Sequence, residues 1–244
     1  FHDERYRPVN FYRGVFRPIN NFLLNSRFIE SVQPEEVKSF QPNLSKKIII
    51  NEEQDWKTTT VVDLLYRDEK VLKSLNKWLP KIGLHYKLKT ESNLISAGGL
   101  PHIRVLARDI ILNTPAIDLQ DIGYGAFQAI RLVVILLAYE HKNIFLTEPE
   151  QNLHPSVHIK FVDLIYESIT KNKNKIFIET HSENLVLKLL QMIKVKKFSP
   201  EVVNISVVTR DNEGGKLNRV KIDENGDAVS EWPEGFFADR YNLV

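Results

Sequence analysis

The sequence predicts an α/β protein with a mostly parallel sheet flanked by helices, and three observations predict it. From residue 126 the chain alternates between helical and strand-like stretches: "AFQAIRLVVILLAYEH", "NIFLTE", "SVHIKFVDLIYESITKN", "KIFIETHSE" and "NLVLKLLQMIKV". Helix–strand–helix–strand order implies parallel strands joined by right-handed crossovers. The run Ile144-Phe145-Leu146 is short, apolar and partly β-branched, as strands covered on both faces are, and "KIFIETHSE" is another short strand. The first of the helices is apolar nearly all round, which marks it as buried.

Taken in order, the elements begin poorly and sharpen. Residues 1–60 mix arginines, aromatics and prolines without a clean period, and form an irregular N-terminal segment or insertion in which "KKIIIN" suits a short strand. Tyr6, Phe11, Tyr12, Phe16 and Phe22 among arginines suit an interface, and a buried insertion explains them as well. Residues 61–115 form a connecting region. Val62, Leu65, Val71, Leu72, Leu75, Trp78 and Leu79 recur at helical spacing across "TVVDLLYRDEKVLKSLNKWLPKIGL", with Pro80 and Gly83 at its end. "HYKLKTES" alternates like a strand, "SAGGLP" is a loop, and "IRVLARDIILN" is strand-like throughout. Residues 116–244 form the α/β lobe. After its last helix, "VVNISVVTRD" and "KLNRVKID" flank Asn212–Gly215 as a β-hairpin.

Composition bounds the function. With 244 residues, 43% apolar and 26% charged, the chain has the make-up of an ordinary globular protein with ample length for a core. The apolar run Leu132–Ala138 is far too short to span a bilayer, so no membrane partner is expected. The absence of cysteine excludes disulfides and any Cys-based zinc site, and fits a reducing, cytoplasmic setting. A net charge of +2 gives little reason by itself to expect nucleic acid, which stays open as a partner. The amino end shows no secretory leader character, and a chain starting at Phe1 is expected to have sequence upstream.

Three loops carry the candidate chemistry: "DIGYGAFQ", "TEPEQNLHP" and "ETHSEN". The last two follow successive parallel strands and so emerge on one sheet edge, the edge where ligands bind in open α/β sheets. Gly123 and Gly125 precede the buried helix, where free N–H groups favour an anion. Glu148 stands where a carboxylate would orient or deprotonate a water, and His181 where an imidazole would meet a phosphate or water. Plainer explanations exist for each: a Gly-Tyr-Gly turn, solvated carboxylates at Glu148 and Glu150, a structural histidine.

Together the loops resemble the carboxyl-terminal lobe of an ABC-type ATPase head, a P-loop NTPase-like fold. The kind is the RecF/SMC-like one found in overcoming-lysogenization-defect (OLD) and related AAA-family proteins. "DIGYGAFQ" is similar to a degenerate signature loop, "NIFLTEPE" to Walker B, "QNLHP" to the D-loop and "ETHSEN" to the histidine switch loop. The ending "VKIDENGDAVSEWPEGFFAD" is similar to that of a subgroup closing on Trp-Pro-x-Gly-Phe-Phe. The resemblance runs from about residue 60 to the end and is densest from Leu119 to Asn184. It implies ATP and Mg²⁺, with Glu148 polarising the attacking water and His181 sensing the γ-phosphate. It further implies that Gly123, Gly125 and Gln128 close over the nucleotide of a second subunit, and that Asn152, Leu153, His154 and Pro155 lie at that dimer interface. Such heads are implied to serve bacterial genome maintenance or antiphage defence, often beside an effector such as a nuclease.

Two departures qualify what the resemblance implies. Thr147 occupies the position where the family carries an acid that holds Mg²⁺ through water, and a hydroxyl brings no charge to a hard cation. No G-x-x-x-x-G-K-[ST] stretch exists anywhere in the chain; "GGKLN" at Gly214 lacks the first glycine. The phosphate loop is therefore expected upstream or on another polypeptide. If neither holds, the lobe is a catalytically inactive scaffold that docks an effector. A nuclease using Glu148, Glu150 and His154 on a divalent metal is a third, weaker option, for no second acidic cluster appears.

Overall fold

A computed structural model of the chain describes residues 22, 25–29, 58–94, 101–211, 214–229 and 231–232. The strand expected in "KKIIIN", the aromatics from Tyr6 to Phe16, the loop before Pro101 and the tail from Pro233 lie outside these residues. The chain divides into two compact units, residues 1–180 and 181–244.

The first unit holds a three-stranded parallel sheet. Strand β1 (Ser26–Ile29) pairs with β5 (Asn143–Thr147), which pairs with β6 (Lys175–Glu179). The α/β expectation holds: both neighbours of β5 run parallel to it, with Phe145 opposite Phe177 and Thr147 opposite Glu179. One strand of this sheet comes from within the first sixty residues, which looked irregular in sequence. Among the described residues four of β1 are paired, too few to register a period, with Phe28 opposite Phe145 in the register.

Burial of β5 differs from the two-sided cover expected of it. Ile144 and Leu146 are fully buried, whereas Phe145 and Thr147 on the other face are half-buried. An aromatic row covers that second face. Phe145 stacks on Phe177 with ring centroids 4.4 Å apart, and Phe22 meets Phe145 edge-on at 6.1 Å. Phe177 and Ile178, on opposite faces of β6, remain 43% and 36% exposed.

The buried helix is α3 (Tyr124–Ala138), with every residue from Phe127 to Leu136 buried. It packs against α1 (Thr58–Arg67), α2 (Glu69–Trp78) and α4 (Pro155–Thr170). Three neighbouring helices explain why no polar face was left in its sequence. The chain after α4 secures the far end of α3. Asn172 Nδ2 donates to the carbonyls of Leu136 and Leu137 at 3.0 and 3.1 Å, satisfying acceptors that a helix end leaves open. Asn174 does the same for Tyr139 O at 2.7 Å and accepts from Lys142 N at 2.8 Å.

The long periodic stretch from Thr60 is two helices, not one. Asp68 interrupts it with extended backbone (φ −121°, ψ 94°), and its carboxylate accepts from the N–H groups of Lys70 and Val71. An aspartate that captures backbone donors favours a cap over a helix interior. Beyond α2, β2 (Tyr86–Leu94), β3 (Pro101–Asp109) and the short β4 (Ile117–Asp118) form an antiparallel sheet. Strand β3 stops at Asp109 rather than running on to Asn113, because Asp109 Oδ1 accepts from Ile111 N and Leu112 N, both at 2.8 Å, and turns the chain.

In the second unit, α5 (Glu183–Lys194) starts on a Ser182 cap whose hydroxyl accepts from Leu185 N. The expected hairpin is present as β7 (Ile205–Asp211) and β8 (Gly214–Val220). No helix among the described residues is long and apolar enough to cross a membrane.

Candidate active site

The site is built from the carboxyl ends of β5 and β6 and the start of α3. Where β5 ends, Glu148 continues the ladder for one more bond, its N–H donating to Glu179 O at 2.8 Å. It then takes a left-handed backbone (φ 45°), rare for a residue with a Cβ and costing about 1–2 kcal/mol. Two overlapping turns follow. Gln151 N donates to Glu148 O and Leu153 N to Glu150 O, each at 3.0 Å, with Asn152 also left-handed (φ 62°). This folds "EPEQNL" into a tight polar knuckle in which Pro149 is buried.

Glu148 and Glu150 stand two residues apart. Glu148 is half-exposed at the strand end. Glu150 Oε1 accepts from Thr180 Oγ1 at 2.6 Å, and its Oε2 is shut off from solvent. A charge-assisted bond of this length ties the knuckle to the chain just past β6. Thr180 went unnoticed in the sequence. Its value depends on the register Thr147↔Glu179, which no one-dimensional pattern reveals.

The loop "NLHP" leads directly into α4. His154 is the N-cap: Ser156 N and the Ser156 hydroxyl both donate to its Nδ1, at 3.3 and 2.8 Å, and Pro155 takes the first helical position. His158, one turn on, donates from Nε2 to Leu153 O at 3.1 Å. Asn152, His154 and Pro155 are exposed and Leu153 half-buried.

The two glycines before and within α3 differ. Gly123 is its N-cap, exposed, with φ −55°, and a Cβ added there would meet nothing within 4 Å. A Cβ on Gly125 would lie 2.5 Å from Asn152 O. The start of α3 and the knuckle after β5 are thus in backbone contact. Gln128 is 1% exposed, and its Oε1 has no hydrogen-bond partner among the described residues. Arg131, one turn further, is buried, and desolvation pushes its guanidinium pKa down from the ordinary value while Tyr124 works the other way. His181 is exposed, one residue beyond the Thr180 bond and at the head of the second unit.

With this geometry in view, comparison with known proteins decides the family. A family model for the AAA ATPase domain matches residues 9–186. The chain belongs to the AAA ATPase domain family. That match spans more than half of the chain, contains all three loops up to Asn184, and begins inside the first sixty residues, as β1 requires. It ends before the Trp-Pro tail. Among solved structures, an SMC head bound to the C-winged helix domain of ScpA is 11% identical over 68% of this chain and 50% of its own, with a TM-score of 0.49. An SMC ATPase studied for ATP-driven dimerization and DNA-stimulated activation is 12% identical over 62% of this chain and 84% of its own, with a TM-score of 0.43. The Smc head with an extended coiled coil from Pyrococcus furiosus is 10% identical over 66% of this chain and 37% of its own, at 0.46. No curated protein matches the chain.

For an AAA ATPase domain, the residues present fit one side of a Mg²⁺–nucleotide site. Glu148 offers a half-exposed carboxylate and Gly123 an unobstructed helix start. Thr147 offers a half-buried hydroxyl without charge. Among the described residues no three His, Asp or Glu side chains gather as a metal site would need. The cradle for the β- and γ-phosphates has no counterpart in the sequence.

Proposed function

We propose that the chain supplies the water-activating and partner-facing half of an ATPase, and that the phosphate-cradling half comes from elsewhere. The observation that carries this reading is the placement of Glu148 at the carboxyl end of β5. Its N–H donates to Glu179 O at the end of the ladder, its backbone then turns left-handed, and the residue is half-exposed there, while Glu150 bonds Thr180. In this reading Glu148 holds and polarises the attacking water on the γ-phosphate, and His181 hydrogen-bonds that phosphate. Bound Mg²⁺ would neutralise charge on the phosphates, held through water near the Thr147 hydroxyl. Thr147 makes that hold weak and turnover slow.

Gly123 supports a partner in trans. Its φ is ordinary and nothing in the chain crowds it, so no internal constraint demands glycine there. An approaching phosphate does, because the backbone can then come within hydrogen-bond distance. A second subunit sandwiching nucleotide against Gly123, Gly125 and the following helix start, with Asn152 to Pro155 at the interface, fits both facts. Gln128, buried in α3, would support that surface from beneath. The edge of β6 fits a supplied lobe: among the described residues it pairs only with β5, and Phe177 and Ile178 are exposed beside it. The domain division at residues 60 and 115, and a place in a bacterial genome-maintenance or antiphage-defence complex, belong to the same proposal.

The second reading, an inactive scaffold that docks an effector such as a nuclease, is favoured by Thr147 and the missing phosphate loop. Glu148→Gln separates the two. In the protein carrying its phosphate loop, or reconstituted with the chain that carries it, the ATPase reading expects turnover to fall about 10²–10⁴-fold. The nucleotide-bound dimer should accumulate by light scattering. Equal turnover and equal mass for wild type and variant would leave the scaffold.

A further inference from the structure

The close approach of Asn152 to the start of α3 points to a role for Gly125 separate from phosphate binding. We propose that Gly125 is a positioning residue: its missing side chain lets the Asn152 carbonyl seat against α3, so that the Gly123 turn and the Asn152–Pro155 loop form one rigid surface. A Cβ at 2.5 Å from a carbonyl oxygen is far inside van der Waals contact, and the obstacle is backbone, which cannot rotate away as a side chain would.

Asn152 is itself held. Its left-handed φ of 62° and the flanking bonds Gln151 N to Glu148 O and Leu153 N to Glu150 O fix where its carbonyl points. Glu150 is in turn bound to Thr180. Gly125 therefore closes a chain of contacts: α3 start, Asn152 carbonyl, knuckle, Thr180, end of β6. A change at any of these points reaches the backbone that carries Glu148. Gly123, two residues away, has no part in this chain, so the two glycines of one short turn serve different ends. The contact stands by itself; only its consequence for a partner rests on the ATPase reading.

The test is amide-resolved hydrogen exchange on the full chain, comparing Gly125→Ala with Gly123→Ala. Gly125→Ala should speed exchange at the Gln151 and Leu153 amides at least tenfold while the Ile130–Leu136 amides of α3 keep wild-type rates. Gly123→Ala should leave all of them unchanged. Wild-type exchange at Gln151 and Leu153 in Gly125→Ala, or a rise shared equally by the Ile130–Leu136 amides, would overturn the proposal. Should Gly125→Ala not fold, Asn152→Val approaches from the other side. A β-branched residue is strongly disfavoured at φ 62°, so the carbonyl should swing away and the Phe127 amide in the first turn of α3 should exchange faster. An unchanged Phe127 amide would count equally against the proposal.

The consequence has its own readout. With the phosphate loop supplied, Gly125→Ala should weaken nucleotide-dependent self-association at least tenfold while the Ile130–Leu136 amides keep wild-type exchange, a split that general destabilisation would not produce. Unaltered self-association in the presence of altered exchange would refute the rigid-surface consequence. If wild type itself does not self-associate with nucleotide, the ATPase reading fails, and the exchange result still decides the role of Gly125.

Discussion

The turn after β3 and the loop after β5 are of similar length, and each begins beside an acidic residue, Asp109 or Glu148, yet they are held in opposite ways. Residues 110–116 are exposed throughout, apolar at Ile110, Ile111 and Leu112, and held by bonds within their own antiparallel sheet and turn. Asp109 accepts two turn amides, Arg108 donates to Asn113 Oδ1, and Ile110 N donates to His85 O across the hairpin. The loop 148–154 is polar, and it is tied to β6 through Glu179 and Thr180 and to α3 through Gly125. Apolar character thus marks the region that the fold leaves outside, and polar character the region that it binds on two sides. The difference lies in reach: damage to the first turn stays local, whereas damage to the second travels.

The strongest way to break this comparison is from below the loop. Leu146 is 2% exposed and its neighbour Ile144 wholly buried, immediately before Thr147 and Glu148. Leu146→Ala should cost about 2–5 kcal/mol, as core leucine truncations do, and should lower the denaturant midpoint accordingly. A loss under about 1 kcal/mol would mean that the strand end is not seated on the core and that the loop's anchorage to β6 is weaker than its hydrogen bonds indicate.

The middle-sized effect falls on the tie itself. Thr180→Val removes the hydroxyl that donates to Glu150 and leaves a partly buried carboxylate short of a donor. That should cost about 1.5–3 kcal/mol, in the range for bonds to charged groups. Glu150→Gln, which still presents an acceptor oxygen to Thr180, should lose less. Equal losses for the two would put the weight on Glu150 charge rather than on the hydrogen bond. Both substitutions should also disturb exchange at Gln151, since they release the same knuckle.

How much of this was legible in the sequence follows from the same contrast. The alternation of helix and strand from residue 126, the hairpin at Asn212–Gly215 and the burial of α3 were legible, because period and apolar run length report burial directly. The polar residues at the strand ends were legible as a group. Three things were not. The β1 strand is too short to carry a period and pairs across more than a hundred residues with β5. The break at Asp68 leaves the helical spacing of apolar residues intact, so periodicity reads through it. The bond of Thr180 to Glu150 and the approach of the Asn152 carbonyl to Gly125 are set by strand register and backbone angles.

The smallest expected effect lies at the tip of the turn after β3, and it sharpens the comparison because it should be nearly absent. Ile111 and Leu112 are 64% and 72% exposed, and the turn beneath them is made by their backbone N–H groups meeting Asp109 Oδ1, a contact indifferent to their side chains. Ile111→Ser and Leu112→Ser should therefore each change stability by no more than about 0.5 kcal/mol, read as an unchanged melting midpoint within error. The serines also remove apolar surface that exists only toward solvent, so any gain should appear as reduced self-association at high concentration. A loss above about 1 kcal/mol would mean that these side chains are covered in solution. The turn after β3 would then be bound on its outer side, as the loop after β5 is bound on its inner one.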